Sequence, residues 1–298
     1  MPPSTRIIPM RDDFCVFILT HGRPTRVITE GTLRRHGYTG KIFIVIDDED
    51  QAGEEYKRIY GEDVLVFSKD EAGGYTDQFD NSPDRRAVVW ARNVCWDLAR
   101  QRGYRYFIQL DDDYGDFQYR RTGRGHKNSS SINEEFHSWA IRSLDTVFEA
   151  LVRLVETTSV KTVAFSQGGD HMGGQNTRNL YRRKAMNSFV CDVDKPIRFK
   201  GRMNEDVTTY VSQGNKGDLF LTYMELQLTQ GNTQQGSGGM AELYQDSGTY
   251  MKSFYTVMAA PSCVTVKPFR STQGTARRNP RLHHKIDWNK AVPKILRE

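Results

Sequence analysis

The chain has 298 residues, 37% hydrophobic and 27% charged, with a formal net charge of +5. This composition favours a packed core and excludes wholesale disorder, and the length suits one large α/β domain or two small ones. No apolar run reaches membrane-spanning length, and the N-terminus lacks the apolar core of a signal peptide. We therefore expect a soluble, intracellular protein that does not bind membranes.

Apolar runs alternate with helical patterns in the first half of the chain. Strands are predicted at 14–19, 41–46, 64–67 and 106–110. Helices are predicted at 24–35 and 86–102, and a short helix after the second strand ends at about residue 60. In the last helix, Trp90, Val94 and Leu98 recur on one face. Such alternation is typical of a mostly parallel sheet with helices on both faces, here in a single domain.

The second half is less regular. We predict a polar loop at 120–131, a long helix at 138–156, strands at 160–165 and 188–192, a flexible Gly-rich loop at 231–239, a helix at 245–260 and a strand at 263–266. The four cysteines, at 15, 95, 191 and 263, lie far apart and form no C-x-x-C pair, which indicates neither a disulfide scaffold nor a zinc site.

Positive charge concentrates at the C-terminal end. Between residues 267 and 298, nine basic and two acidic residues give this segment a charge of +7, more than that of the whole chain. A basic terminus suits a polyanionic partner such as nucleic acid, although a solvated tail has the same composition.

Three consecutive carboxylates, Asp111, Asp112 and Asp113, follow the strand at 106–110. Adjacent negative charges repel one another unless water screens them or a cation neutralises them. Because water has little access to the end of a buried strand, the triplet favours binding of a hard divalent metal whose remaining ligands come from a substrate diphosphate. A solvated turn is the alternative. Alternation of side chains would place Asp111 and Asp113 on one face, with Asp112 supporting the loop. Direct binding of the metal is the alternative role for Asp112.

Polar residues follow three of the predicted strands. Thr20 and His21 come after the first strand, Asp47 after the second, and the acidic triplet after the fourth. Ligands of parallel α/β sheets bind at the carboxyl ends of strands, so these residues are expected to line one site.

These motifs resemble those of a known group of enzymes. The sequence ARN at 91–93, a strand closed by Asp-x-Asp at 111–113, and NEDV at 204–207 resemble inverting GT-A glycosyltransferases. With ILTHGRP at 18–24 and VIDDED at 45–50, the arrangement is similar to the TET-associated glycosyltransferases of tailed bacteriophages. Those enzymes are associated with sugar attachment to 5-hydroxymethylated pyrimidines in phage DNA. The resemblance to the general fold covers roughly residues 14 to 210.

The resemblance implies a GT-A-like, Rossmann-like α/β fold with a less regular second half. Residues 14–120 would bind the nucleotide sugar, 121–266 the acceptor, and 267–298 would form a basic segment. The implied cofactors are Mn²⁺ or Mg²⁺ and a nucleotide sugar, with uridine diphosphate as the assumed carrier. Phage DNA containing 5-hydroxymethylated pyrimidines is the implied partner, in the cytoplasm of the infected bacterium, with no obligate protein partner.

The resemblance also assigns roles to individual residues. Those expected to contact the donor nucleotide are Thr20, His21, Arg23, Asp47, Arg92 and Asp111. Those expected to bind the metal are Asp111, Asp113 and His283, with His284 as an alternative to His283. Asp206 is expected to act as the general base and Glu205 to orient it.

Each of these roles has a structural alternative. Arg92 could form an ion pair on a helix surface, and the histidine pair could be exposed in a basic tail. Asn204 could cap a helix, with Glu205 and Asp206 near its positive end.

Other functions fit the same motifs in part. A glycosyltransferase could act on a protein, a lipid or a small polyol. A sugar-nucleotide pyrophosphorylase also needs a metal and a nucleotide, but it usually carries a Gly-rich loop with Arg and Lys, which THGRP matches poorly. In a non-enzymatic nucleic-acid binder, the carboxylates would serve only as turns.

Overall fold

The structure is a computed structural model that describes residues 10–122, 136–171, 180–230, 251–269 and 281–293. Nine strands form one sheet: β1 Phe14–Leu19, β2 Lys41–Asp47, β3 Val64–Phe67, β4 Tyr106–Asp111, β5 Tyr114–Thr122, β6 Phe136–Ala140, β7 Val160–Ser166, β8 Ser188–Asp192 and β9 Leu219–Gln230. Two further strands, β10 Val264–Phe269 and β11 Arg281–Ile286, pair with each other. The helices are α1 Ile28–Arg35, α2 Gly53–Tyr60, α3 Lys69–Gly73, α4 Val89–Gln101, α5 Leu144–Thr157, α6 Glu205–Gly214, α7 Met251–Ala259 and α8 Trp288–Ala291.

The strand order of the large sheet is β3-β2-β1-β4-β8-β7-β9-β5-β6. The first four strands are parallel to one another. Following the pairings across the sheet, seven of the nine strands point the same way, and β5 and β8 are reversed. The order 3-2-1-4 is that of one half of a doubly wound α/β fold. The fold class predicted from the sequence, a mostly parallel α/β sheet with flanking helices, is confirmed.

The central strands are largely apolar because both faces of the sheet are covered. In β1, Val16 and Ile18 belong to a core that includes residues of α5, whereas Cys15 and Phe17 belong to the opposite core, which includes residues of α4. Side chains of a strand alternate between faces, so a continuous apolar run is what two covered faces require. This covering leaves the ends of the strands as the accessible part of the sheet.

Several boundaries differ from those predicted. The predicted helix at 138–156 is replaced by β6 followed by α5, and the predicted helix at 24–35 divides into a 3₁₀ turn Pro24–Arg26 and α1. The sequence pattern does not indicate β5, β9 or β11, because these strands lack a continuous apolar run: β9, for example, has an irregular mixture of buried and exposed positions. The predicted Gly-rich loop at 231–239 and most of the loop at 120–131 lie outside the described residues.

The predicted division of the chain into halves stays a prediction. The predicted boundary at 120 lies within β5, which pairs directly with β9 of the second half. All four cysteines are buried and free, in agreement with the absence of a disulfide scaffold. None of the helices in the described part of the chain has the length and hydropathy of a membrane-spanning segment.

Candidate active site

The loop after β1 and the acidic triplet after β4 meet at one edge of the sheet. Leu19, the last residue of β1, pairs with Asp111, the last residue of β4. The next residue, Thr20, donates a hydrogen bond of 2.6 Å from its hydroxyl to the carboxylate of Asp112. The parallel register of β1 and β4 therefore brings together two of the predicted site segments.

Asp112 holds the loop that follows β1. Its side chain is buried, and one carboxylate oxygen accepts from Thr20 while the other lies 3.1 Å from Nη2 of Arg23. Burial raises the pKa of Asp112, and the neighbouring Arg23 opposes this rise. The tyrosine hydroxyl of Tyr56 completes the junction, because it accepts from the backbone N–H of Arg23 at 2.8 Å and lies 3.0 Å from the Thr20 hydroxyl. Asp112 therefore supports the loop, as the alternation of side chains predicts.

Asp47, at the end of β2, joins three groups. One carboxylate oxygen lies 2.8 Å from Nδ1 of His21, and the other lies 2.9 Å from Nζ of the buried Lys69 and accepts from the backbone N–H of Glu49. Burial opposes ionisation, but the hydrogen bonds with His21 and Lys69 lower the pKa of Asp47 to about 2. The same contact with Asp47 raises the pKa of His21. Asp47 is thus an ionised anchor, and His21, which is 43% exposed, is the accessible member of the group.

Arg92 is a buried junction in the middle of the site. Its Nε donates to Glu205 at 2.8 Å, and its Nη2 donates to Asp111 and to the side-chain oxygen of Asn187, both at 3.0 Å. Its guanidinium carbon lies 5.3 Å from the ring centroid of Phe189. With 1% exposure, Arg92 is not the surface ion pair that the sequence left open. It links the end of β4 to the start of α6.

The other two carboxylates of the triplet, those of Asp111 and Asp113, have little positive charge near them. Burial raises the pKa of Asp111 to about 7, against the opposing effect of Arg92, and Asp113 and Glu205 raise it further. Both oxygens of Asp113 accept from the neutral amide of Gln230, at 2.9 and 2.8 Å. An arrangement in which one guanidinium serves several carboxylates favours binding of a further cation.

The carboxylates fit a hard divalent cation. Mg²⁺ and Mn²⁺ prefer oxygen ligands, and Mg²⁺ in particular is commonly held by one or two carboxylates together with substrate phosphates. Over the described residues, no three His, Cys, Asp or Glu side chains converge on a common metal position. The structure therefore does not assemble Asp111, Asp113 and His283 as a three-ligand site, and a pair of carboxylates would rely on the diphosphate for further ligands.

Helix α6 presents the two carboxylates predicted for catalysis. Asn204 precedes the helix with a positive φ of 58°, and its side chain donates to Thr256 at 2.6 Å instead of capping the helix. The carboxylate of Glu205 is paired with Arg92, and burial raises its pKa. Asp206 accepts from the N–H of Val207 at 2.7 Å. In the described part of the chain, Asp206 forms no ion pair, so its carboxylate is more available than that of Glu205 to accept a proton or a hydrogen bond from a substrate.

The histidine pair lies on β11. The Nδ1 of His283 is 2.9 Å from the carbonyl oxygen of His284, and the two rings are 4.3 Å apart. His284 is the member that contacts the start of α6, with Nδ1 3.4 Å from Nδ2 of Asn204. Burial lowers the pKa of His284 to about 3, so this ring is neutral at physiological pH. The metal role of His283 stays a prediction.

Three further residues of the site were not predicted from the sequence. Lys69 pairs with Asp47, Gln230 binds Asp113, and Asn187 accepts from Arg92. Lys69 carries a weak signal, because it follows the end of β3 as the other site residues follow their strands. Gln230 reaches Asp113 through the pairing of β9 with β5, and Asn187 lies beside the end of β4 through the pairing of β8 with β4, so neither position has a local signal.

The structure has a distant likeness to several solved structures. It resembles a mycobacterial protein with 12% identity and a TM-score of 0.45, over 92% of this chain and 84% of that one. Glucosyl-3-phosphoglycerate synthase from Mycobacterium tuberculosis, in complex with Mg²⁺ and uridine diphosphate, has 10% identity and a TM-score of 0.46, over 92% and 88% of the two chains. The same enzyme with Mn²⁺ and uridine-diphosphate-glucose has 11% identity and a TM-score of 0.46, over 92% and 87%. A likeness this distant says nothing about the activity of the chain.

Sequence comparison is more informative. No curated protein matches the chain. The family model described as TET-Associated Glycosyltransferase matches residues 14–239, about three quarters of the sequence. The matched region contains the loop after β1, the acidic triplet and the start of α6. The resemblance seen in the motifs is confirmed, and the chain belongs to the TET-associated glycosyltransferase family.

Proposed function

We propose that the protein transfers a sugar from a nucleotide-sugar donor to the hydroxymethyl group of 5-hydroxymethylpyrimidines in phage DNA. The observation that carries this proposal is the bridge formed by Arg92, which binds Asp111 at the end of β4 and Glu205 at the start of α6. A displacement reaction needs the leaving group and the incoming nucleophile to meet at one carbon atom. The bridge supports such a meeting because it joins Asp111, proposed to hold the leaving diphosphate through the metal, to Glu205, which lies next to Asp206 on the side proposed to bind the acceptor.

The donor nucleotide would lie along the ends of β2 and β1. His21 and Asp47 are proposed to contact its base or ribose, with Asp47 holding His21 through a 2.8 Å contact. Thr20 and Arg23 would shape the loop beside the diphosphate through their contacts with Asp112. In the cytoplasm of an infected bacterium, this donor would be one of the sugar nucleotides of the host or phage, and we propose a uridine-diphosphate sugar.

Asp111 and Asp113 would hold the divalent cation, Mn²⁺ or Mg²⁺. When bound, the cation supplies Lewis-acid stabilisation of the negative charge that develops on the leaving diphosphate. Gln230 would orient Asp113, because its amide contacts both carboxylate oxygens. Arg92 would hold Asp111 in place while remaining buried itself.

Asp206 would remove the proton of the acceptor hydroxyl. As the hydroxyl oxygen bonds to the anomeric carbon, the bond from that carbon to the diphosphate breaks, and the proton passes to the carboxylate of Asp206. Glu205 is proposed to orient the acceptor while its own charge is balanced by Arg92. The hydroxymethyl group of a modified pyrimidine projects into the major groove, where it is open to such an attack with or without flipping of the base.

DNA would be held mainly through its phosphates. The basic C-terminal segment at 267–298 carries a charge of +7 and would contribute contacts that do not depend on base sequence. The binding of DNA would therefore weaken steeply as the salt concentration rises.

The test is to incubate the protein with Mn²⁺, a panel of sugar nucleotides, and DNA that contains 5-hydroxymethylcytosine or 5-hydroxymethyluracil. Mass spectrometry of the digested nucleosides should show the added mass of one sugar, and DNA with unmodified pyrimidines should show none. The double variant Asp111→Asn with Asp113→Asn should abolish the mass shift while retaining DNA binding. Glycosylation of a protein or small molecule instead of DNA would overturn the proposed acceptor, and unchanged turnover in the double variant would overturn the mechanism.

A further inference from the structure

We infer that Asn187 is a specificity-determining residue that donates a hydrogen bond to a hydroxyl group of the transferred sugar. This inference rests on the proposed use of a nucleotide sugar, but it does not depend on DNA as the acceptor. Asn187 lies just before β8, and the antiparallel pairing of Leu110 with Ser188 places it beside Asp111 at the end of β4.

The orientation of the Asn187 amide follows from hydrogen-bond chemistry. A guanidinium group has only donors, so the atom of Asn187 that faces Nη2 of Arg92 at 3.0 Å must be the carbonyl oxygen Oδ1. The amide nitrogen Nδ2, with its two N–H donors, must therefore point away from Arg92. Among the described residues, no group accepts a hydrogen bond from Nδ2, and the Asn187 side chain is partly exposed. Asn187 thus presents two N–H donors to whatever occupies this edge of the sheet.

The position of Asn187 is fixed from two sides. The hydroxyl of Tyr114, which is fully buried, donates to the backbone carbonyl of Asn187 at 2.7 Å, while Arg92 holds its side chain. Its backbone has a φ of 43°, in the left-handed region that costs free energy for residues other than glycine. Asparagine adopts this region more readily than most other residues, and residues held in it cluster at active sites and ligand-binding sites.

Asn187 is close to the proposed diphosphate site. Its Oδ1 and the Oδ1 of Asp111 each lie 3.0 Å from the same nitrogen of Arg92, so the two oxygens are separated by no more than twice that distance. A sugar attached to a diphosphate at Asp111 and Asp113 would therefore come within reach of the amide of Asn187.

The order of the strands indicates which part of the donor meets Asn187. The sequence of neighbours is β2-β1-β4-β8. His21 follows β1, and Asp47 ends β2. The acidic triplet begins at the last residue of β4, and Asn187 precedes β8 on the far side. A donor with its nucleoside at the β1–β2 end and its diphosphate at β4 would extend its sugar towards β8. The neutral N–H groups of an amide suit the neutral oxygen of a hydroxyl, whereas the diphosphate is matched by a cation.

Two variants isolate the N–H donors of Asn187. Asn187→Asp keeps an oxygen for Arg92 but has no N–H, and it adds a negative charge. Asn187→Gly removes the whole side chain without adding charge, and glycine adopts the backbone angle of this position readily. Only Asn187→Asp changes the local charge, and only Asn187→Gly removes the oxygen that accepts from Arg92, so the effect that the two variants share is the loss of the amide donors.

The experiment measures binding by titration calorimetry in Mn²⁺, with UDP-glucose and free UDP as probes, or with the preferred donor of the panel and its free diphosphate. Both variants should bind the sugar nucleotide about 10-fold more weakly than the wild type, the loss of roughly one neutral hydrogen bond. Asn187→Gly should bind the free diphosphate as tightly as the wild type. Thermal melting of both variants establishes that they are folded. Equal losses for the diphosphate and the sugar nucleotide in Asn187→Gly would overturn the inference, because the amide would then contact the diphosphate.

Donors that lack single hydroxyl groups identify the partner atom. One deoxy donor should bind the wild type about 10-fold more weakly than its parent, and the same removal should have no further effect in either variant. A penalty that persists in both variants for every hydroxyl would contradict the inference. Wild-type protein that binds a sugar nucleotide but leaves DNA unmodified would refute only the acceptor of the proposed function, and failure to bind any sugar nucleotide would refute both proposals.

Discussion

Arg92 and Glu205, which are 113 residues apart in the sequence, are joined by a buried hydrogen bond of 2.8 Å. The same guanidinium reaches Asp111, so one side chain connects the end of a strand in the first half of the chain with a helix in the second. Breaking such a buried pair leaves an uncompensated charge in the interior, which costs more than the pair itself contributes. The integrity of the site therefore depends on Arg92.

Replacement of Arg92 should affect stability as well as activity. We expect Arg92→Met to lower the free energy of unfolding by about 3–5 kcal/mol, because Asp111 and Glu205 lose their shared cation. The control Arg58→Met, at a helical position whose side chain is 72% exposed, should change the free energy of unfolding by less than about 0.5 kcal/mol. Urea denaturation measures both. Combining Arg92→Met with Glu205→Gln should recover part of the loss, and strict additivity of the two changes would contradict a direct pairing.

Asp206 and Glu205 should differ in their effect on turnover. We expect Asp206→Asn to lower the rate of sugar transfer by roughly 10²–10⁴-fold, because the acceptor hydroxyl loses its base. Binding of the donor should be unchanged, since Asp206 is proposed to act on the acceptor alone. Single-turnover kinetics with saturating donor measure the rate. Asp194→Asn, whose side chain is 71% exposed, should behave as the wild type. A rate near that of the wild type for Asp206→Asn would exclude this residue as the base.

The acidic triplet offers a matched comparison for metal binding. Asp113→Asn should weaken binding of Mn²⁺ in the presence of the nucleoside diphosphate by at least about 10-fold, because an amide is a poorer ligand than a carboxylate. Asp112→Asn should weaken it by no more than about threefold, since both oxygens of Asp112 are engaged by Thr20 and Arg23. Electron paramagnetic resonance of Mn²⁺ measures the free ion. Equal effects of the two substitutions would contradict the assigned ligands.

The ionised carboxylate of Asp47 should stabilise the folded protein at neutral pH but not at strongly acidic pH. Its pKa is lowered from 3.8 to about 2, so the folded state binds this proton less readily than the unfolded state. The stabilisation, about 2 kcal/mol, is complete above the unfolded pKa and is lost as the pH falls towards 2. Urea denaturation of the wild type and Asp47→Asn should therefore give free energies of unfolding that converge at low pH. Lys69→Met should reduce this pH-dependent difference, and a difference that grows on acidification would reverse the assigned sign.

Much of the fold could be predicted from short-range patterns. The strands β1, β2, β3 and β4 were located within one residue at each end because each is a mainly apolar run that ends in a polar or charged segment. The strands β5 and β9 could not be recognised in this way, because their side chains face surroundings of mixed polarity. The same limit applies to the site. The sequence indicated Asp112 as a support for the loop through simple alternation, but it could not indicate that Thr20 and Arg23 are its partners.

By itself, the sequence determined the α/β class, the position of the acidic triplet after a buried strand, and the membership of the family. These properties depend on local periodicity and on motifs whose residues are close together in the chain. Only the tertiary structure decided that Arg92 is buried between Asp111 and Glu205, that Gln230 holds Asp113 across 117 residues, and that Asn187 faces the same edge across 95 residues from Arg92. Such contacts follow from the order and direction of the strands. The packing of the whole sheet sets that order, so the residue type at a single position does not reveal it.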